Sequence, residues 1–369
     1  VRMCVLGNRL KADPEDITAS STPALPIIRL LDHVALKVRM MCYSSDVSGA
    51  FLEGDIRKQN IYLILPPDLQ DRWLDSNGRR LCWKLKKSVY GMRTSQADWS
   101  RTLHKHLVGV HEDAAKNQTI PLKRSQHEVS LYMLDHDQLC SEDKHSRLRE
   151  QLVGPRATTK DGIASQEQQL RELRFYYVCF VDDARTYVSH EALAQIFAAS
   201  YHSTFTVTGG RHDIHDGAPE EFLKIEISYR RINGHLRSKW SNDASLEKFL
   251  NSHGAKDLKP VGSPMEADVA KKITSDSMPK GTEAQRRVLE DLQSTGDISD
   301  DWSYAQLSTK YRSIVAGAGW QATTVYPLLS FAVSRLSVVM SNPTAVAWRS
   351  TKRLLRHMTS LQGKHLQYR

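Results

Sequence analysis

Apolar residues recur along this chain with two periods, and the strand period gives the clearest signals. Seven apolar or aromatic residues run from Phe175 to Val181, Asp182 and Asp183 follow, and a second strand-like run continues from Ala184 to Val188. Such a stretch reads as a β-hairpin with both aspartates at its tip. Another apolar run, Val38 to Tyr43, ends in Ser44-Ser45-Asp46 and is followed by small residues and Phe51. It reads as a strand that delivers Asp46 at its end. Ile61 to Leu65 is a short strand stopped by Pro66-Pro67, and Val129 to Leu134 is another. Phe222 to Tyr229 and Gly234 to Arg237 flank Asn233-Gly234, a tight-hairpin signal.

Helical spacing appears behind Ser21-Thr22-Pro23, where Ile27, Ile28, Leu31, Val34 and Ala35 predict a core-facing helix. Ser95 with Asp98 has the form of a capping box, and Trp99, Leu103 and Leu107 follow until Gly109. Ser189 is placed to cap a helix with Leu193, Ile196 and Phe197, and Ala244 to His253 is a short helix ended by Gly254. The last part reads as helical from Tyr311 to Met340, then from an Asn342 cap with Pro343 in the first position to about Met358. Residues 140–172 are charged and Gln-rich without an apolar period and read as an exposed insertion, and about 266–301 reads as a polar linker.

With 369 residues and 40% hydrophobic content the chain is globular, with about two domains expected. A formal net charge of +9 points to a polyanionic partner or to mere solubility. Arg79, Arg80, Lys84, Lys86, Lys87 and Arg93, interleaved with Trp83 and Tyr90, suit a nucleic-acid track or a solvated hairpin. Arg349, Lys352, Arg353 and Arg356 give the final helix a basic face. The five cysteines are scattered without close pairs, which speaks against a disulfide frame or zinc site and for buried reduced thiols in an intracellular protein. No apolar run approaches a bilayer span, the first residues do not form a signal peptide, and a start at Val1 suggests a piece of a longer reading frame.

Two adjacent carboxylates on the end of a buried apolar strand repel each other and are poorly solvated, a conflict that a divalent cation such as Mg²⁺ removes. Taken alone, Asp182-Asp183 also suits a water-exposed turn and Asp46 a helix cap. Three carboxylates at strand ends favour the cation.

Three landmarks in order then resemble the reverse transcriptase of copia-type long-terminal-repeat retrotransposons. They are Asp46 with Ala50-Phe51-Leu52 and Gly54, the run Lys84 to Gly91, and Phe180-Val181-Asp182-Asp183. The likeness continues through Phe222 to Ile227, Lys259-Pro260-Val261 with Pro264-Met265, Tyr311 to Val315, Phe331 to Leu336 and Lys352 to Arg356. The resemblance implies an α+β right-hand polymerase, with partial fingers, a palm built on an antiparallel sheet, a thumb, and a helical connection-like segment. The expected boundaries are 1–232 for partial fingers and palm, 233–265 for the primer-grip return strand and thumb-like helix, 266–301 for the linker, and 302–369 for the connection-like part before an absent ribonuclease H domain.

The implied activity is RNA-directed DNA synthesis, adding dNTPs to a primer 3′-hydroxyl on an RNA or DNA template. Asp46, Asp182 and Asp183 would hold two Mg²⁺ ions, or Mn²⁺ in their place. Phe51 would stand against the sugar 2′ position, or serve as an ordinary core ring. Tyr90, Gly91, Arg93 and Arg2 would meet the incoming nucleotide, and Lys84, Lys86, Lys87, Phe222, Leu223 and Lys224 the nucleic acid. Integrase and ribonuclease H would accompany the chain in a full Pol polyprotein, with a virus-like particle in the cytoplasm and the nucleus as its places, and no membrane partner. The alternative is a decayed copy that retains only nucleic-acid binding. Departures from the family pattern are Thr94 and Ser95-Gln96 after Gly91, Lys224 where glycine is expected, Ala184-Arg185-Thr186 in place of apolar residues, and the insertion.

Overall fold

Strand-forming residues on both sides of Asp182 and Asp183 build the centre of the first sheet. The structure is a computed structural model and describes residues 4–5, 22–57, 61–70, 72–109, 120–141, 145–212, 219–233 and 235–368. The chain divides into two compact units, Val1–Asp216 and Gly217–Arg369. The division falls ahead of the expected boundary at 232 and assigns Phe222, Leu223 and Lys224 to the second unit.

In chain order the first unit comprises α1 (Leu25–Val38), β1 (Met41–Val47), α2 (Ala50–Glu53), β2 (Tyr62–Leu63), α3 (Pro67–Gln70), β3 (Trp83–Lys84), α4 (Ser95–Leu107), β4 (Leu122–Arg124), β5 (Leu131–Leu134), α5 (His136–Ser141), α6 (Ser146–Val153), α7 (Lys160–Glu172), β6 (Phe175–Phe180), β7 (Asp183–Val188), α8 (Glu191–Thr204) and β8 (Val207–His212). Among the described residues its main sheet has six strands in the order β4-β5-β6-β7-β1-β8, paired antiparallel throughout.

Residues two apart on a strand share a face, so the register sorts the side chains. On one face Phe175, Tyr177, Cys179, Ala184 and Val188 form a core with Trp99, Leu103 and Leu107 of α4 and Leu193, Phe197 and Tyr201 of α8. The other face carries, row by row, Cys42 opposite Tyr187, Ser44 opposite Arg185, and Asp46 opposite Asp183. Asp32 of α1 meets the Arg185 and Tyr187 rows, with both members of the Asp32–Arg185 ion pair buried. The polar end of the sheet therefore stands beyond the rows that α1 closes.

The stretch 140–172 is folded, not an exposed loop: α6 and α7 place Leu148, Leu152 and Leu170 in the core, three contacts too sparse to register as a period. The capping box at Ser95 does not form, because Ser95 Oγ donates to the Val89 carbonyl at 2.6 Å and Asp98 accepts from Ser88 Oγ at 2.8 Å. His190, not Ser189, caps α8, its ring nitrogen accepting from the Ala192 N–H. Of the free cysteines, Cys42 and Cys179 are buried, whereas Cys4 and Cys82 are exposed.

The second unit comprises β9 (Glu220–Phe222), β10 (Ile225–Ile232), β11 (His235–Ser241), α9 (Asp243–Ser252), α10 (Ala267–Lys272), α11 (Thr282–Ser294), α12 (Tyr304–Thr324), α13 (Ser330–Ser337), α14 (Ala345–Thr359) and β12 (Leu366–Tyr368). Its sheet runs β12-β11-β10-β9. Ile232 pairs with His235, the register expected for the Asn233-Gly234 hairpin. The supposed linker 266–301 instead holds α10 and α11, with Ile273 and Leu292 fully buried. The helix expected from Tyr311 to Met340 begins earlier and breaks near Pro327, and α14 is capped by Thr344 Oγ1, which accepts from the Ala347 N–H, not by Asn342. Cations on α14 are matched within the unit: Arg349 meets Asp291 and Asp297, Lys352 meets Asp297, and Arg353 meets Glu266. Among the described residues no helix is long and apolar enough to cross a membrane.

Candidate active site

β1 and β7 bring carboxylates from distant parts of the chain to one sheet end. Asp46 and Asp183 are cross-strand partners, and such partners project to the same face. Asp182 sits in the turn between β6 and β7, and its carbonyl accepts from the Val47 N–H at 2.9 Å. All three carboxylates are partly buried. Their charges converge on one neighbour: burial pushes the Cys179 thiol up to about 12, a hydrogen bond with Tyr177 pulls the other way, and Asp182, Asp183 and Asp46 each add to the rise. The thiol is therefore protonated at neutral pH and acts as a donor, to the Val181 carbonyl at 3.1 Å.

Val181 has φ of 63°. A β-branched residue in the left-handed region is disfavoured by about 1–2 kcal/mol, so the turn before Asp182 is held by its surroundings. Trp99 Nε1 donates to the Val181 carbonyl at 2.5 Å. Nothing in the spacing of α4 singled out this indole as anything but a core ring.

On the segment that follows the Asp46 strand, Phe51 of α2 packs against the core and meets Tyr90 edge to face with ring centroids 5.3 Å apart. The Tyr90 carbonyl accepts from the Val5 N–H at 2.8 Å, and Gly91 has φ of 91° and lies so close to Val5 that a Cβ would stand 2.1 Å from the Val5 carbonyl oxygen. Glycine is required there for backbone packing. Arg93 is exposed, as are Lys84 and Lys86, while Lys87 binds Asp55 at 2.7 Å and the Glu53 carbonyl at 2.9 Å. Trp73 and Trp83 meet edge to face at 5.4 Å beside this basic stretch. Arg2 lies outside the described residues. In the second unit Phe222 is fully buried and belongs to the core, and Leu223 and Lys224 form the turn between β9 and β10, both at positive φ.

Residues 2–133 match the family model described as reverse transcriptase (RNA-dependent DNA polymerase). That span contains Asp46, Phe51, Tyr90, Gly91 and Trp99 and ends before Asp182 and Asp183. No curated protein and no solved structure matches the chain. The match implies a nucleotidyltransferase domain of the DNA-polymerase kind, with a nucleic-acid template, a primer and dNTPs as its substrates. A mixed helix and antiparallel-sheet architecture agrees with a reverse transcriptase domain at a coarse level.

Reverse transcriptases generally use divalent ions. Among the described residues no group of three or more histidine, cysteine, aspartate or glutamate side chains is gathered as a metal cluster. In donor chemistry Asp46, Asp182 and Asp183 do fit, since hard cations such as Mg²⁺ take carboxylate oxygens.

Proposed function

We propose that this chain is a reverse transcriptase segment of a copia-type retrotransposon, adding dNTPs to a primer 3′-hydroxyl on an RNA or DNA template. The observation that carries the reading is the pairing of Asp46 with Asp183, with the Asp182 carbonyl tied to Val47, in a chain whose 2–133 match the reverse transcriptase family. Asp46, Asp182 and Asp183 would hold the Mg²⁺ ions. When bound, such ions supply Lewis acidity that lowers the pKa of the attacking hydroxyl and offsets charge on the leaving pyrophosphate.

The chain's own residues orient and exclude. Phe51, braced by Tyr90, narrows the space next to α2 where the nucleotide sugar would lie, and Lys84 and Lys86 offer charge to the phosphate backbone. In the full polyprotein, integrase and ribonuclease H would accompany this segment in a virus-like particle.

Primer extension on a defined template tests the reading. Extension is expected to require Mg²⁺ and to fall by about 100-fold or more in Asp46→Asn and in Asp182→Asn. Extension unaffected by both changes would overturn it. Salt-sensitive template binding without any extension would favour the alternative, a remnant that only binds.

A further inference from the structure

Asp182 is carried by a turn that its own sequence disfavours, so some other part of the molecule selects that turn. Val181 is the β-branched member of a small set of non-glycine residues at positive φ. The peptide joining Val181 to Asp182 is planar, so whatever fixes the Val181 carbonyl also fixes the nitrogen from which Asp182 begins. Two buried donors converge on that oxygen, Trp99 Nε1 from α4 at 2.5 Å and Cys179 Sγ from β6 at 3.1 Å. A carbonyl oxygen has two lone pairs and so can accept from both. Rotating the peptide away would strand both donors in the core, a penalty that keeps it in place.

The indole is itself immobile. Trp99 is 1% exposed and stands edge to face with Phe205 at 5.2 Å. Its backbone is seated on Gly54, where a Cβ would lie 2.9 Å from the Trp99 nitrogen. Gly54 closes α2, the short helix that follows the Asp46 strand. One residue of α4 thus touches the segment after Asp46 with its backbone and the segment before Asp182 with its side chain.

We infer that Trp99 is a positioning residue: its indole N–H selects the left-handed Val181 turn and so sets where Asp182 stands relative to Asp46. The catalytic consequence rests on the polymerase reading; the hold on the turn does not.

Trp99→Phe in the full chain keeps a ring against Phe205 and removes the donor. Hydrogen exchange of a peptide spanning 180–184 is expected to quicken in this variant by more than any change in overall stability accounts for. In primer extension, kcat is expected to fall by about tenfold or more while KM for dNTP stays within about twofold. Val181→Gly, which accepts the left-handed turn without strain, should shrink the loss that Trp99→Phe causes. Should Trp99→Phe not fold, Cys179→Ala removes the second donor and Cys179→Ser retains one; the first is expected to quicken exchange and the second not. Unchanged exchange in Trp99→Phe, or strict additivity with Val181→Gly, would overturn the inference. Quickened exchange in Trp99→Phe when the unsubstituted protein itself extends no primer would uphold the positioning role and overturn the polymerase reading.

Discussion

The Asp32 carboxylate lies 3.1 Å from the Arg185 guanidinium, and neither side chain is open to water. Arg185 is two residues from Asp183 on β7, and Asp32 also accepts from the Tyr187 hydroxyl at 2.6 Å. The guanidinium two residues beyond Asp183 is thus matched by an acid from α1. The row beneath the candidate site is charged but balanced.

Removing one member of that pair should cost more than replacing both. Asp32→Ala takes the counter-charge from a buried guanidinium and is expected to destabilise by about 3–5 kcal/mol, whereas Asp32→Leu with Arg185→Met removes both charges and should lose only the acceptor of the Tyr187 hydroxyl, about 1–3 kcal/mol. Urea unfolding of the three proteins measures it. Equal losses in the single and double variants would deny the pair its role.

Acid should weaken the second unit through Asp297. Burial pushes this carboxyl up, but hydrogen bonds from Lys352, Arg349 and Thr295 outweigh it and hold the group at about 2, below its ordinary 3.8. A depressed carboxyl stabilises the fold above its unfolded value and loses that contribution as pH falls through its folded one. The loss is therefore expected between 3.8 and about 2, and amounts to about 2 kcal/mol. Thermal midpoints against pH should slope less in Asp297→Asn.

Lys224→Gly should stabilise. Leu223 and Lys224 both hold positive φ between the paired Phe222 and Ile225, the two-residue hairpin geometry that glycine suits. The gain, net of glycine's greater freedom when unfolded, is up to about 1 kcal/mol. The exposed Lys224–Glu221 contact that is lost is worth little. A lower thermal midpoint would contradict the assignment of strain.

Gly54→Ala tests the seat of α4. Its Cβ would press on backbone, not on a flexible side-chain end, so relief requires the helix to shift and should cost about 1–3 kcal/mol. Calorimetry gives the stability, and a paired loss of primer extension would connect the seat to the Asp182 turn.

What could be read beforehand was local. An unbroken apolar run ending in two aspartates declares a strand and a tip, and Asn233-Gly234 declares a hairpin, because neighbouring residues decide both. The Trp99 contact with Val181 spans 82 positions and depends on one ring nitrogen that no periodicity reports. The basic face of α14 was legible, but its partners Asp291, Asp297 and Glu266 lie in a stretch whose polarity disguised two helices. Thr344 caps α14 although intrinsic preference ranks Asn342 above it, because the helix starts at Ala345, where the Thr344 oxygen and not that of Asn342 reaches the Ala347 N–H.

The last strand has a practical corollary. Leu366–Tyr368 lies along β11, pairing Leu366 with Trp240 and Tyr368 with Ser238. A protein shortened ahead of Leu366 would bare a row of unmet amides beside a large indole, the sort of border that recruits other chains into aggregates. Soluble production of the second unit is accordingly expected to depend on retaining those few terminal residues.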